Sequence, residues 1–473
     1  MKQILLPRRI VKATGVENPE FLKIKKPLQS VLRSDKKWFD SLTAVKGPAT
    51  IILDFGKEMH GGIRIITSRA KSIGLVRIRF GESLTEASSD IGVKNATNDH
   101  IARDFEATIV QLSDATFGQT GFRFVRLDFP DTSDFYIQNI YCVNNILSKK
   151  AVYTYTGPDK RIKDIFNIAK RTVDLCASSG LIWDGIKRDR LVWIGDMHPE
   201  MLALSTLYGK MKEIENSLDF IRDQTDLPGW MNGYPTYSMW WIIIIADYYR
   251  ITGCKDYTIK QLDYMQKLVE QVDNYSDEDG NTKYPFNFVD WPTCESPEAY
   301  DGTRAITIIA IKKVIEIFNE FNVDSSLAEK VLTKLLRLPI NGGKKKQIIA
   351  LKYLATGVMS DEEYNNLVEG GAKGLSTFMS YYILKAIASR DVNMAIQIMK
   401  EYYGAMIDVG ATSFWEDFDV EWTKNSSRID RIPRGGKKDI HGDFGAHCYK
   451  GFRHSFCHGW SSGVIRFIME YCE

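Results

Sequence analysis

The feature that most constrains this chain is a change of hydrophobic period near residue 150. Before it, apolar residues alternate. In LVRIRF, Val76, Ile78 and Phe80 face one way while Arg77 and Arg79 face the other, a period of two that fits half-buried strands. Ala49 to Asp54, GGIRIIT (61–67), FRFVRLDF (122–129) and FYIQNIYCV (135–143) repeat the style, with Gly, Asp and Ser turns between them. Short strands so separated predict a β-sandwich, jelly-roll-like, over residues 1–150. After residue 158 the period becomes helical. Ile162, Ile165, Phe166, Ala169, Val173 and Cys176 open it, and similar stripes continue near 198–224, 237–252, 255–275, 299–320, 325–337, 344–356, 374–388, 391–406 and 453–470. About ten helices with no strand run between them suggest a solenoid or a closed toroid. The irregular loops favour the toroid, an (α/α)6 barrel over residues 151–473. Gly-Pro-Asp at 157–159 reads as a helix start at the boundary.

Composition excludes several classes of function. With 62 basic and 60 acidic side chains, the net charge of +2 gives no reason to invoke nucleic acid or an anionic membrane. The longest apolar run, Trp240 to Ala246, is too short to span a bilayer. The seven Cys are scattered, without CxxC or Cys/His zinc spacing, so free thiols are expected and no metal or cofactor. The N-terminus shows no cleavable signal architecture. The expected location is cytoplasmic, or periplasmic or secreted if a leader has been removed. Oligomeric state is not legible. Nine of the ten Trp lie from Trp183 onward, which fits either helical core filling or a site lined by flat apolar faces.

The polar density falls in a few loops. WDGIKRDRLVWIGD (183–196) packs Asp, Arg and Trp into one interhelical segment. Such a loop grips hydroxyls by charged hydrogen bonds while an indole covers a sugar face; it would also serve as a salt-bridged connection. GATSFWEDFD (410–419) sets Glu416, Asp417 and Asp419 beside Phe414 and Trp415, a pattern shared by helix N-termini. RHSFCHGWSSG (453–463) offers His458 and Trp460, and FVDWP offers Asp290 and Trp291. In a ring of helices, loops at one end converge on a central funnel. Glycoside cleavage with inversion needs an acid and a base carboxylate about 6.5–9.5 Å apart, and the first two loops can supply such a pair. No GxSxG elbow is present, which argues against serine-triad hydrolysis.

These loops resemble the bacterial α-L-rhamnosidase family, glycoside hydrolase family 78. Asp184, Arg188, Asp189, Arg190, Trp193, Gly195 and Asp196 look like the counterparts of the family's Asp/Arg/Trp loop that opens the barrel. Gly410 to Glu416 is similar to its Gly-Ala-Thr-x-x-Trp-Glu motif, and His458 to its late His. LDFGKEMHGGIRI (53–65), RIRFGESL and TGFRFVRLDF resemble the β-sandwich that precedes that barrel. The chain departs from the pattern in three ways. Its first loop is one residue shorter, the expected general-acid Glu is absent, and the C-terminal β-sandwich common in the family is missing, making it a compact variant.

The resemblance implies an inverting, exo-acting enzyme that releases a terminal deoxy-sugar from an oligo- or polysaccharide. Glu416 stands in the place of the general base. Asp189 is the first candidate acid and Asp196 the second. If Arg188 and Arg190 both point at Asp189, it stays ionised and Asp196 becomes the acid. Asp184, Arg188, Arg190 and Asp290 would bind hydroxyls, with His458 nearby. Trp193, Trp241, Trp291, Trp415 and Trp460 would pack on the sugar. Another (α/α)6 exo-glycosidase, an uronyl hydrolase, or an inactive sugar-binding homologue fits the same features.

Overall fold

The computed structural model describes residues 2–70, 73–177 and 179–473. Seven strands come first: β1 (Lys2–Leu5), β2 (Arg9–Glu17), β3 (Thr43–Thr67), β4 (Gly74–Gly81), β5 (Asp104–Ile109), β6 (Asp114–Phe129) and β7 (Ser133–Asn145). They hydrogen-bond into one continuous sheet of order β1-β7-β3-β6-β4-β5, with β2 also on β3. The sandwich expected from the alternation is therefore one sheet that turns on itself. Strand β3 is the hinge. Its register against β6 shifts between Asp54 and Met59, and a bulge bends a strand. Both ends of β3 come to lie beside β7, since Thr43 and Thr67 each pair with Ile137. The alternating side chains Val76, Ile78, Phe80, Ile63, Ile65, Val125 and Leu127 fill the enclosed core.

Among the described residues, twelve helices of eight residues or more follow. They are α1 (Lys160–Cys176), α2 (Met197–Tyr208), α3 (Lys212–Asp223), α4 (Pro235–Thr252), α5 (Leu262–Asn274), α6 (Ala299–Glu320), α7 (Ser326–Leu335), α8 (Lys346–Thr356), α9 (Asp361–Val368), α10 (Ser380–Ala388), α11 (Val392–Asp408) and α12 (Val464–Tyr471). The even-numbered helices pack in sequence, α2 on α4, then α6, α8, α10 and α12, and α12 returns to α2. That closes an inner ring of six. The odd-numbered helices lie outside it, giving six hairpins around a common axis. Sequence explains the assignment. Every residue of α2 is buried, as is the run Pro235 to Ala246 that opens α4; a helix apolar on all sides belongs inside. By contrast α1, α3 and α5 bury one stripe each. Asp159 starts α1, accepting from the backbone N–H of Arg161 and Ile162, a cap worth about 1 kcal/mol.

The sheet presses on the end of the ring where the inner helices begin. Arg123 of β6 donates to the Gly410 carbonyl at 3.3 Å, the Glu58 N–H donates to Thr412 Oγ1 at 2.8 Å, and Thr120 Oγ1 donates to the Lys187 carbonyl at 3.0 Å. The polar loops are thus clamped between sheet and ring.

Candidate active site

The loop before α2 delivers Asp184, Arg188, Asp189, Trp193 and Asp196. Tyr234 and Tyr237 come from the start of α4, Trp291 from the approach to α6, and Glu416, Cys448, Arg453, His458 and Trp460 from the long segment before α12. Together they line a cavity of about 190 Å³. The inner helices direct their N-termini toward it, and that end of a helix favours negative charge. Local pairing fixes the loops. Gly185 bridges His458, the Gly459 N–H donates to the Asp184 carbonyl at 2.7 Å, and the Glu416 N–H to the Ser455 carbonyl at 2.9 Å.

One guanidinium organises the charges. Arg188 Nη2 donates to Glu416 Oε1, its Nη1 lies 3.1 Å from Asp189 Oδ1, and its Nε donates to the Arg453 carbonyl at 3.0 Å. Glu416 Oε2 accepts the Ser455 N–H at 3.1 Å, so both oxygens of that carboxylate are held. Burial pulls the Arg188 pKa down, but the charges of Glu416 and Asp189 outweigh it and raise it overall. His458 Nε2 lies 3.7 Å from Asp184 Oδ2 and 4.0 Å from both Asp196 Oδ2 and Glu416 Oε1. Those contacts put the facing oxygens of Asp196 and Glu416 no more than about 8 Å apart. Burial, then the Arg188 charge, hold the His458 imidazole neutral.

Asp184 and Asp196 behave differently from an exposed carboxylate. Burial first, then neighbouring carboxylates, raise both pKa values well above the ordinary range. Asp184 Oδ1 accepts the Leu191 N–H at 2.8 Å, and Asp196 Oδ1 accepts from Tyr237 Oη at 3.3 Å. Asp189 stands nearer the mouth, with a side chain 14% exposed against 4% for Asp184 and Glu416 and 7% for Asp196. Behind Trp460 lies an aromatic layer: it leans on Phe378, which meets Trp240 and Tyr382, and those two touch each other and His198.

Nine of the thirteen sequence-derived site residues line this cavity, and four do not. Arg190 turns away from Asp189: its guanidinium lies over the Trp183 ring and donates to the Gln119 carbonyl at 3.2 Å. Only Arg188 of the two arginines therefore faces Asp189. Trp241 is fully buried on the outer side of α4, donating to the Leu218 carbonyl and packing on Tyr264. It lies one residue past Trp240, which packs on Phe378 and Tyr382 of the inner ring, about a hundred degrees round the helix. Trp415 stacks on Phe456 at 3.9 Å beneath the Glu416 loop. Asp290 caps the turn at 291–293 and accepts from Thr293 and Ser376. These four serve the walls and not the surface a sugar would touch.

Sequence reasoning missed Tyr234, Tyr237, Cys448 and Arg453. The two tyrosines sit at the head of α4, where a start signal was visible in Pro235 but not the direction of the side chains. It also missed a buried charge cluster under the site. Lys187 Nζ lies 2.8 Å from Glu86 Oε1 and 3.4 Å from Glu82 Oε2, and donates to the Phe452 and His454 carbonyls. Glu82 also accepts the Phe456 N–H at 2.7 Å. Glu82, Glu86 and His441 group closely enough to ligate a metal ion, but the Lys187 ammonium already supplies a positive charge among them. Burial raises the Glu82 pKa to about 8 against that ammonium's pull.

A six-hairpin ring with a carboxylate-lined pocket at the helix N-termini is the architecture of this domain. Residues 151–317 match the family model described as the bacterial alpha-L-rhamnosidase 6 hairpin glycosidase domain. That match takes in helices α1 to α6, the first half of the ring. No curated protein is similar enough in sequence to match. Among solved structures, a rhamnosidase from Klebsiella oxytoca with rhamnose bound aligns over 100% of this chain and 96% of its own, at 17% identity and a TM-score of 0.76. A family 78 rhamnosidase of Bacillus sp. GL1 aligns over 95% of this chain but 48% of its own, at 16% identity and a TM-score of 0.71. The Streptomyces avermitilis α-L-rhamnosidase complexed with L-rhamnose covers 89% of this chain and 42% of its own, at 14% identity and a TM-score of 0.52. The chain thus spans nearly the whole Klebsiella protein and about half of the other two.

Proposed function

We propose that this protein is an inverting exo-glycosidase that releases a terminal α-L-rhamnosyl residue from an oligo- or polysaccharide. The observation that carries the reading is the Arg188 bridge, which holds Glu416 and Asp189 in one cavity although they lie far apart in sequence. The cavity is closed on one side by Trp460 packed on Phe378, which suits a terminal sugar rather than a threaded chain. The rhamnose bound in the Klebsiella protein supports the choice of sugar.

Glu416 takes a proton from a water as that water attacks the anomeric carbon. Its two oxygens are already engaged by Arg188 and the Ser455 N–H, an arrangement suited to orienting a water rather than bonding the sugar. Asp189 gives its proton to the glycosidic oxygen as the C–O bond breaks. In an exo pocket that oxygen lies at the mouth, where Asp189 is the most exposed of the four carboxylates. Asp184 and Asp196, protonated through burial, donate hydrogen bonds to ring hydroxyls, and Trp193, Trp291 and Trp460 cover the apolar face of the sugar.

A panel of p-nitrophenyl glycosides, read by absorbance and by proton NMR of the first-formed anomer, tests this. The α-L-rhamnoside should turn over and yield β-L-rhamnose first. Initial α-L-rhamnose would overturn inversion. Turnover of a different glycoside alone would overturn the sugar, and sugar binding without any turnover would favour an inactive binding protein.

A further inference from the structure

The mouth of the cavity is not built by the helical ring alone. A loop of the sheet domain, between β4 and β5, reaches over it. Lys94 pairs with Asp443 at 2.6 Å, and Asp99 with Arg453 at 2.6 Å. Between these contacts His100 places Nδ1 2.6 Å from Asp189 Oδ1 and Nε2 3.1 Å from Asp99 Oδ1. The Asp189 N–H also donates to His100 Nδ1 at 3.1 Å. Both partners are held in the left-handed region, His100 at φ 62° and Asp189 at φ 52°. Non-glycine residues pay strain there, and such strain clusters at functional sites.

The Asp189 N–H donating to Nδ1 takes that nitrogen's one in-plane lone pair, so the ring hydrogen sits on Nε2, the nitrogen that faces Asp99. We propose that His100, backed by Asp99, is a positioning residue that holds the Asp189 backbone and carboxyl at the mouth and so aims the acid proton at the leaving oxygen. The catalytic acid is thereby completed across two domains. The inference rests on the glycosidase reading given above. As the glycosidic C–O bond breaks, the proton passes from Asp189 to the departing oxygen while the attacking water loses its own proton to Glu416. Solvent then restores the Asp189 proton. The charged groups facing His100 are Asp99 and Asp189, with Arg453 and Arg188 directly behind them.

The test compares leaving groups. A dinitrophenolate departs without protonation, whereas methoxide needs an acid. In His100→Gln and His100→Ala, kcat/KM for methyl α-L-rhamnoside should fall about 30-fold, a part of what a general acid supplies. For 2,4-dinitrophenyl α-L-rhamnoside it should fall less than about threefold. Asp99→Asn should show the same pattern more weakly. Equal losses on both substrates, or no loss on either, would overturn the proposal. His100 has a side chain 42% exposed, so its replacement leaves the core intact. If the wild-type protein turned over neither rhamnoside, the glycosidase reading would fail, and a second measurement would still judge the pairing. The ¹⁵N resonances of the His100 ring, assigned through His100→Gln, should move in Asp189→Asn; unmoved resonances would overturn it.

Discussion

Replacing Glu416 by Gln keeps the shape of the site and removes one charge. The structure sets two magnitudes. The first is stability. Glu416 and Arg188 have side chains 4% and 6% exposed, and breaking such a buried pair from one side costs about 3–5 kcal/mol. Arg188 keeps Asp189 at 3.1 Å and the Arg453 carbonyl at 3.0 Å, so the low end applies, about 3 kcal/mol. At roughly 2 cal/mol/K per residue, unfolding entropy for a chain of this length is on the order of 1 kcal/mol/K. The melting temperature should therefore fall by about 3 °C. The second magnitude is catalytic. Loss of a general base lowers kcat by about 10²–10⁴, or about 3–5 kcal/mol of barrier. Steady-state kinetics on the aryl rhamnoside, calorimetric binding of rhamnose and a thermal melt read all three quantities on one preparation. Rhamnose affinity should stay within about tenfold, since the hydroxyl partners remain. A variant that retains more than about a tenth of wild-type kcat would refute the assignment of Glu416 as base.

Three further outcomes follow from packing and burial. Gly459→Ala should unfold or severely destabilise the protein, because a Cβ there would sit 1.4 Å from Glu200 Oε1; Glu200→Ala in the same chain should restore a cooperative melt, and failure to do so would place the obstruction elsewhere. Asp196→Asn should gain stability relative to wild type as pH rises from about 4 toward 8, since an unfolded Asp ionises near ~3.9 while folding holds this one protonated; a pH-independent difference in melting temperature would contradict the raised pKa. Lys187→Met should lower stability by about 3–5 kcal/mol, because it strips the buried counter-charge from Glu86, and an unchanged melt would show that this counter-charge is not needed.

The hydrophobic period alone separated strands from helices. Alternation at Val76, Ile78 and Phe80 and the helical stripe opened by Ile162 both correspond to observed elements. The end of the first helical stripe was also legible in part, since Asp159 stands where a cap should. Residue chemistry found much of the site, because an acid, an arginine and an indole within a few positions are conspicuous in a loop. It failed where direction decides. Trp240 and Trp241 are adjacent and chemically identical, yet one packs on Phe378 and Tyr382 inside the ring and the other faces the outer helices, a difference of phase that depends on how the ring closes. Asp290 and Trp415 look like ligands in sequence and act as braces, because their polar partners and stacking partners come from distant segments.

What the sequence by itself determined was the inventory: a sheet followed by a helical ring, with charged and aromatic loops between helices, since local periodicity and composition are properties of neighbours in the chain. What only the tertiary structure decided was company. Arg188 joining Asp189 to Glu416, His100 of the sheet domain reaching Asp189, and Lys187 lying buried between Glu82 and Glu86 are contacts between residues many positions apart. The contacts of Arg188 and Lys187 draw their strength from exclusion of water, and water is excluded only when the sheet closes over the end of the ring.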